Sequence, residues 1–355
     1  MAPIHSRPRA LTALALLGAV ALGGCSLVGS GDKTDDGTTN VVLVTHDSFA
    51  LPKPVIKQFE QQSGYHLVVR AAGDGGTLTN KLVLTQGDPT GDVAFGVDNT
   101  FATRALDADV FAPYDVSLPP GASRYLLPGD DHRLTPVDNG NVCVNVDTGW
   151  FADHDLAPPR TLDDLVKPAY SGLLAVPGAT TSSTGLAFLL ATIGRYGDDG
   201  WQAWWQKLVA NDATLTDGWS QAYETDFTQG GGHGKDPIVV SYDSSPAFTV
   251  AKGADTSTTR ALLDTCFRQV EYAGVLTGAA NPKGAEAFVD FLLSPTVQKA
   301  LPDSMFVFPV REGTPLPADW ARFAVQPKHP YDVSPADISA HRDAWLQQWS
   351  NIVSR

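Results

Sequence analysis

VVLVTHDSFALPKPVIKQFEQQSGYHLVVRAAGDGGTLTNKLVLTQGDPTGDVAFGVDN, residues 41–99, alternates short β-branched runs with helically spaced apolar residues, and that alternation sets the fold class. VVLVT at 41–45 reads as a strand and is followed by the polar loop His46-Asp47-Ser48. From 52 to 62, Val55, Ile56 and Phe59 recur at helical spacing until Gly64 stops the run. HLVVR at 66–70 is a second strand, and Gly73 to Thr77 a loop. A second helix follows over 78–84, with Thr77 as its expected cap. DVAFGV at 92–97 is a third strand that ends at Asp98-Asn99. Strands separated by helices, with polar loops after each strand, predict an α/β protein. They also predict a mostly parallel sheet with a ligand crevice beyond the strand C-termini.

The rest of the chain repeats this grammar. NVCVNV at 141–146, LLAV at 173–176 and IVVSY at 238–242 read as strands, and 269–276 as an extended return. Helical spacing covers 185–196, 201–209 (Trp201, Trp204, Trp205 and Leu208 on one face), 282–293 and 337–353. The order suits two α/β lobes joined by more than one extended crossover. The 355 residues, 43% hydrophobic and 18% charged, provide enough apolar surface for two cores. A net charge of −14 excludes nucleic-acid or anionic-lipid binding through a general basic field.

The first residues read as a targeting segment. Arg7 and Arg9 precede an apolar run from Leu11 to Leu22, too short to span a bilayer and suited to a signal peptide over 1–24. The run ends in Leu22-Gly23-Gly24-Cys25, which resembles a bacterial lipobox; a plain signal sequence with an incidental cysteine is the alternative. Cys25 is then the expected lipidation site, and 25–39 a polar tether. The expected location is outside the cytoplasm, anchored by lipid to the outer face of the cytoplasmic membrane, or periplasmic.

Catalytic motifs are missing from the sequence. It contains no H-E-x-x-H, G-x-S-x-G or G-x-G-x-x-G. Gly230 to Asp236 lacks the first glycine and the hydroxyl residue of a phosphate loop, and reads as a surface loop. The eight histidines are scattered, so neither a metal nor a cofactor is expected. Polar and aromatic residues gather instead at loops after strands: His46, Asp74-Gly75, Ser182-Ser183, Trp219 with Tyr223, and Tyr242 to Pro246. Aromatic walls with a few placed polar groups are the makings of a binding crevice.

On THDSFA (45–50), GDGGTLTNKL (73–82), TTSSTGLAFLL (180–190), DGWSQAYETDF (217–227), VVSYDSSPAF (239–248) and LPDSMFVFPV (301–310), the chain resembles the thiamine-binding proteins of ABC importers, within the type II solute-binding superfamily. The likeness runs in order from about 40 to the C-terminus. It implies a two-lobed type II periplasmic-binding-protein fold with hinge crossovers. Lobe one is expected over 40–142 plus about 267–304, and lobe two over 143–266 plus about 305–355. It also implies capture of thiamine or a thiamine phosphate, delivery to a membrane permease, a monomer, and no enzymatic step.

Carried over by position, Asp74 and Gly75 match the family's acidic ligand loop, and Ser182 and Ser183 its Ser-Thr pair at a helix start. Trp219 matches its ligand tryptophan, and Tyr242, Asp243, Ser244 and Ser245 its Tyr-Thr-Thr-Ser strand end. His46 stands where a tyrosine is frequent and Phe306 where a tryptophan is, so the aromatic box is thinner. The ligand chemistry agrees: a thiazolium cation suits aromatic faces and a carboxylate such as Asp74. The same fold with a polyamine or ferric ion as cargo, and a secreted hydrolase, are the alternatives. After Cys25 the cysteines are Cys143 and Cys266. Export favours a disulfide between them near the hinge, with two buried free thiols as the alternative.

Overall fold

A computed structural model describes residues 39–231 and 234–354. The leader, Cys25, the tether before Thr39 and two positions of the glycine-rich loop lie outside the described residues. The strands are β1 (Thr39–Thr45), β2 (Tyr65–Ala71), β3 (Val93–Asp98), β4 (Thr135–Asp147), β5 (Leu174–Pro177), β6 (Thr214–Thr216), β7 (Ile238–Tyr242), β8 (Thr259–Val275) and β9 (Phe308–Pro309). The helices are α1 (Lys53–Ser63), α2 (Gly75–Leu84), α3 (Ala102–Asp107), α4 (Thr148–Asp153), α5 (Leu162–Leu165), α6 (Ser183–Tyr196), α7 (Trp201–Ala210), α8 (Pro282–Leu292), α9 (Pro295–Met305), α10 (Ala318–Phe323) and α11 (Pro335–Val353).

The strand order is β2-β1-β3-β8-β4-β7-β5-β6, with β9 also on β4. β1 pairs in parallel with β2 and β3, and β5 with β6 and β7. β8 runs antiparallel to β3 and β4, as β4 does to β7 and β9. The sheet is therefore mixed, not mostly parallel as the sequence suggested. Parallel pairing stays within the strand–helix–strand units, and the long strands between them run the other way.

Alternation along the strands divides the first core in two. Val41, Leu43, Val93 and Phe95 point to Phe59, Phe288 and Leu301 of α1, α8 and α9. Val44, Ala94 and Val97 point to Leu78 and Leu82 of α2 and Ala105 of α3. Ala94 and Val97 share a face because the register shifts at Gly96, whose φ is +100°. The second core surrounds α6, buried at every position from Ser183 to Ile193. There Phe188, Trp204 and Trp205 meet Trp349 of α11, with Trp205 edge-on to Trp349 at 5.7 Å. The tryptophans placed on one face of α7 are all buried.

Helix α2 begins earlier than the sequence suggested. Asp74, not Thr77, is its cap, accepting from Gly75 N, so the glycine pair belongs to the first turn.

β4 and β8 are the crossovers. Residues 135–142 of β4 face 273–267 of β8, and residues 144–147 face 262–259. At the break Cys143 stands opposite Leu263 to Cys266. Thr265 Oγ1 ties this bulge down, accepting from Val144 N at 2.9 Å and donating to Leu262 O at 2.7 Å. Cys143 and Cys266 are joined there by a disulfide, their Cα atoms 4.2 Å apart. β4 is buried at all 13 positions although it carries Asp138, Asn139, Asn141, Asn145 and Asp147.

Closing a loop over a sequence separation of 123 restricts the unfolded chain. On the chain-entropy view such a loop is worth up to about 5 kcal/mol. The double variant Cys143→Ala/Cys266→Ala is expected to lose about 2–5 kcal/mol in urea unfolding. Thiol titration of the unreduced, denatured wild type should find neither cysteine free; two free thiols would contradict the bridge.

Candidate functional site

A cavity of about 310 Å³ lies over the crossover, within the range of small-molecule sites. The 46–50 loop after β1 and the start of α2 line one side. The start of α6, the segment after β6 and the end of β7 line the other, with Glu271 of β8 and residues 304–307 completing the wall.

The two sides are stitched at the rim by Asp74. Its Oδ1 accepts from Gly75 N and from Ser183 N at 3.2 Å, and its Oδ2 from Trp219 N at 2.8 Å. Thr77 N donates to Thr181 O at 3.0 Å beside it. The approach depends on glycine. A Cβ on Gly75 would come 2.0 Å from Ser183 Oγ, and one on Gly76 2.7 Å from the Thr181 carbonyl carbon. Asp74 was expected to meet a cation; its carboxylate is already engaged by three backbone donors.

Trp219 anchors the aromatic wall. Its Nε1 donates to Ser241 Oγ at 2.8 Å, and its ring stacks on Tyr223 with centroids 5.1 Å apart. Tyr242 meets it edge-on at 6.2 Å and Phe306 lies tilted at 6.3 Å. A π-helical turn, Gln221–Asp226, follows Trp219 and sets Tyr223 beneath it. Phe306 sits at φ +63°, uncommon for a residue with a Cβ. Ser244 Oγ donating to Phe306 O and the Phe248 ring 3.9 Å away hold it there. Burial pushes the Tyr223 hydroxyl up to about 12 and the Tyr242 hydroxyl well above its usual range, the latter reinforced by Glu271.

The floor is acidic and buried. Glu271 on β8 and Asp138 on β4 are register partners, 7% and 0% exposed. His46 Nε2 lies 3.4 Å from Glu271 Oε1, while its Nδ1 pairs with Ser48 Oγ at 2.8 Å. Gly96 makes room for that ring, since a Cβ there would be 2.1 Å from His46 Cδ2. Asp98 accepts from Thr100 Oγ1 and from Thr100 and Phe101 N, yet burial raises its carboxyl to about 6. Asp243 is raised to about 6 by burial against the bonds from Asn141. Neither oxygen of Asp138 meets a donor.

The structure thus brings together His46, Asp74, Gly75, Ser183, Trp219, Tyr242 and Phe306 at one cavity. It turns four other expected residues away from it. Ser182 caps α6 by accepting from Gly185 N, and Asp243 binds Asn141. Ser244 fixes Phe306, and Ser245 bonds to Ser241 and Tyr242 N. Sequence reasoning missed Thr184, Glu224, Met305 and Glu271 in the lining. A lone acid inside the apolar run VEYAGV was the available signal for Glu271.

Comparison with known proteins gives this geometry a lineage. The family model for bacterial extracellular solute-binding proteins matches residues 88–325, more than half of the chain. The thiamine-binding periplasmic protein of Escherichia coli K12 is 31% identical, over 89% of this chain and 94% of its own. That of Brucella suis biovar 1 is 30% identical, over 89% and 92%. A solved periplasmic thiamin binding protein superposes with a TM-score of 0.80 at 29% identity, covering 92% of this chain and all of its own. Iron-bound HitA from Pseudomonas aeruginosa shares the fold alone, with a TM-score of 0.65 at 20% identity over 88% of this chain and 99% of its own. The fold and these matches converge: the chain belongs to the bacterial extracellular solute-binding protein family, whose members are extracytoplasmic binding proteins and not enzymes.

Proposed function

We propose that this protein captures thiamine or a thiamine phosphate between its lobes and hands it to the permease of an ABC importer. The observation that carries the reading is an aromatic wall of Trp219, Tyr242 and Phe306 set over a buried acidic floor. A flat aminopyrimidine suits the wall, and a permanent thiazolium cation gains from both wall and floor. Ser183, 4% exposed, keeps a hydroxyl without a partner beside the first turn of α6. With Thr184 it is placed to meet a hydroxyethyl or phosphate tail. Relatives of about 30% identity are thiamine-binding, which supports the same cargo here. The register break between residues 142 and 144 supports lobes of 40–142 with about 267–304, and 143–266 with about 305–355. Asp74 enters as the clasp that holds the closed form, Gly75 and Gly76 as the positions that let it close.

Transport is served by an anchored monomer in this reading. Cys25 carries diacylglycerol and the residues after it form the tether. One acyl chain alone binds a membrane marginally, so two or three chains are expected.

Calorimetry of the delipidated protein with thiamine, its monophosphate and its diphosphate is the direct test. At least one should bind, and Trp219→Ala should weaken it by roughly tenfold or more through lost stacking and cation–π contact. No heat and no thermal shift with any of the three would overturn the assignment. For the clasp, Gly76→Val should weaken binding of the same ligand and leave small-angle scattering with ligand at the larger, open radius. Unchanged affinity and compaction would remove Asp74 and its glycines from the closing mechanism. For the anchor, Cys25→Ser should move the protein from the membrane to the soluble fraction; retention in the membrane with unchanged processing contradicts lipidation.

A further inference from the structure

Asp138 is an unexplained group in the central strand. It lies inside the central strand β4 with no exposure, and neither carboxyl oxygen meets a donor. Asn139, Asn141, Asn145 and Asp147, its buried polar neighbours on β4, each have at least one partner, although Asn145 Oδ1 has none. Asn139 Nδ2 donates to Phe308 O, Asn141 Nδ2 to Asp243, and Asn145 Nδ2 to Tyr242 O. Asp147 accepts from Trp150 N, Thr228 and Gln229. An isolated buried carboxylate costs far more than such a strand can offset, so the group is held neutral or shares its charge.

Glu271 is the partner it faces. The two are paired in register across β4 and β8, and Glu271 also lines the cavity. Two carboxylates offer each other only acceptors until one carries a proton; then they form a short, strong pair. Around them stand His46 from the β1 loop, Asp98 at the end of β3, Tyr242 at the end of β7 and Asp74 at the start of α2. On β8 itself, Arg268 is committed to Asn141 Oδ1 at 2.8 Å. His46 is therefore the basic side chain against Glu271, its Nε2 3.4 Å from Oε1 while its Nδ1 pairs with Ser48 Oγ.

We propose that Glu271, rather than Asp74, is the carboxylate that meets the positive charge of the ligand, and that it shares a proton with Asp138 until the cation arrives. The proposal rests on the reading of the ligand as a thiamine-class cation. Asp74 already accepts from three backbone donors at the rim, whereas Glu271 has a cavity on one side and a proton-sharing carboxyl on the other. Burial lifts Asp138 to about 8 even though its contact with Glu271 lowers it, and burial and the neighbouring Asp138 together hold Glu271 well above its usual range. At neutral pH the pair therefore holds at least one proton.

The exchange balances in charge. The cation enters, one proton leaves Glu271 for solvent, and the net charge of the floor is unchanged. The unliganded protein thus avoids a buried dianion. Proton and ligand compete for one carboxylate, so affinity rises with pH through the range in which the pair titrates. A neutral analogue releases no proton and leaves the floor as it was, so the pair selects for charge.

Titration calorimetry with thiamine at pH 7, in buffers of different ionisation heat, measures the exchange. Wild type should release between about half a proton and one proton per ligand. Glu271→Gln should release none, bind about tenfold or more weakly at pH 8, and lose the pH dependence. Asp138→Asn gives Glu271 a fixed amide donor. It should reduce the proton release and shift the affinity rise to lower pH, an effect that a merely structural role does not produce. Independently of any variant, the infrared band of a protonated carboxyl in the ligand-free protein should diminish when thiamine is added. Thiamine binding without proton release, or with no loss of that band, overturns the shared proton and leaves the cargo standing. No binding of thiamine at all removes the cargo and this inference together.

Discussion

The pairing of β4 with β8 is the constraint on which the rest depends. Both strands run from one core into the other, so whatever fixes their register helps fix the two halves against each other. The break opposite Cys143, the tie from Thr265 and the disulfide sit at the crossover itself. A few residues away, the same strands bring Asp138 and Glu271 face to face under the cavity. One strand pair thus sets the hinge, the floor of the site and the charge that the site presents. Buried polar residues in a central strand are costly, and here almost all of them are matched by partners that lock neighbouring elements in place.

Above that floor the site is assembled by close approach. Gly75 and Gly76 allow the first turn of α2 to touch the start of α6, and Asp74 carries two hydrogen bonds across the contact, from Ser183 N and Trp219 N. The aromatic wall is placed by different means: an indole hydrogen bond for Trp219, and a left-handed backbone for Phe306 secured by Ser244 and Phe248. Residues such as Ser244 and Asp243 therefore matter to the site without lining it. They hold the residues that do.

Much of this was legible in the sequence where local signals are strong. The β-branched runs of 41–45 and 238–242 and the helical spacing of 201–209 correspond to β1, β7 and α7. The mixed sheet was not legible, because strand direction is set by pairing between segments far apart in sequence. The full lengths of β4 and β8 were also hidden. TPVDNG carries Pro, Asp, Asn and Gly, which read locally as a turn; long-range pairing overrides that propensity. In the candidate site, loops after strands were recognisable, and seven of the eleven expected residues reach the cavity. Motif matching could not distinguish a side chain that lines the site from one that props its neighbour. Glu271 stands out locally as a lone acid in VEYAGV, but that a cavity lies above its strand is set by long-range packing.

A structure of the protein crystallised with thiamine tests the central claim most directly. The account places the thiazolium ring against the Glu271 carboxylate and the aminopyrimidine on the Trp219 wall, with Asp74 still bonded to Ser183 and Trp219. A thiazolium ring directed away from Glu271 toward solvent, or a ligand seated outside the cavity between the two cores, would contradict it.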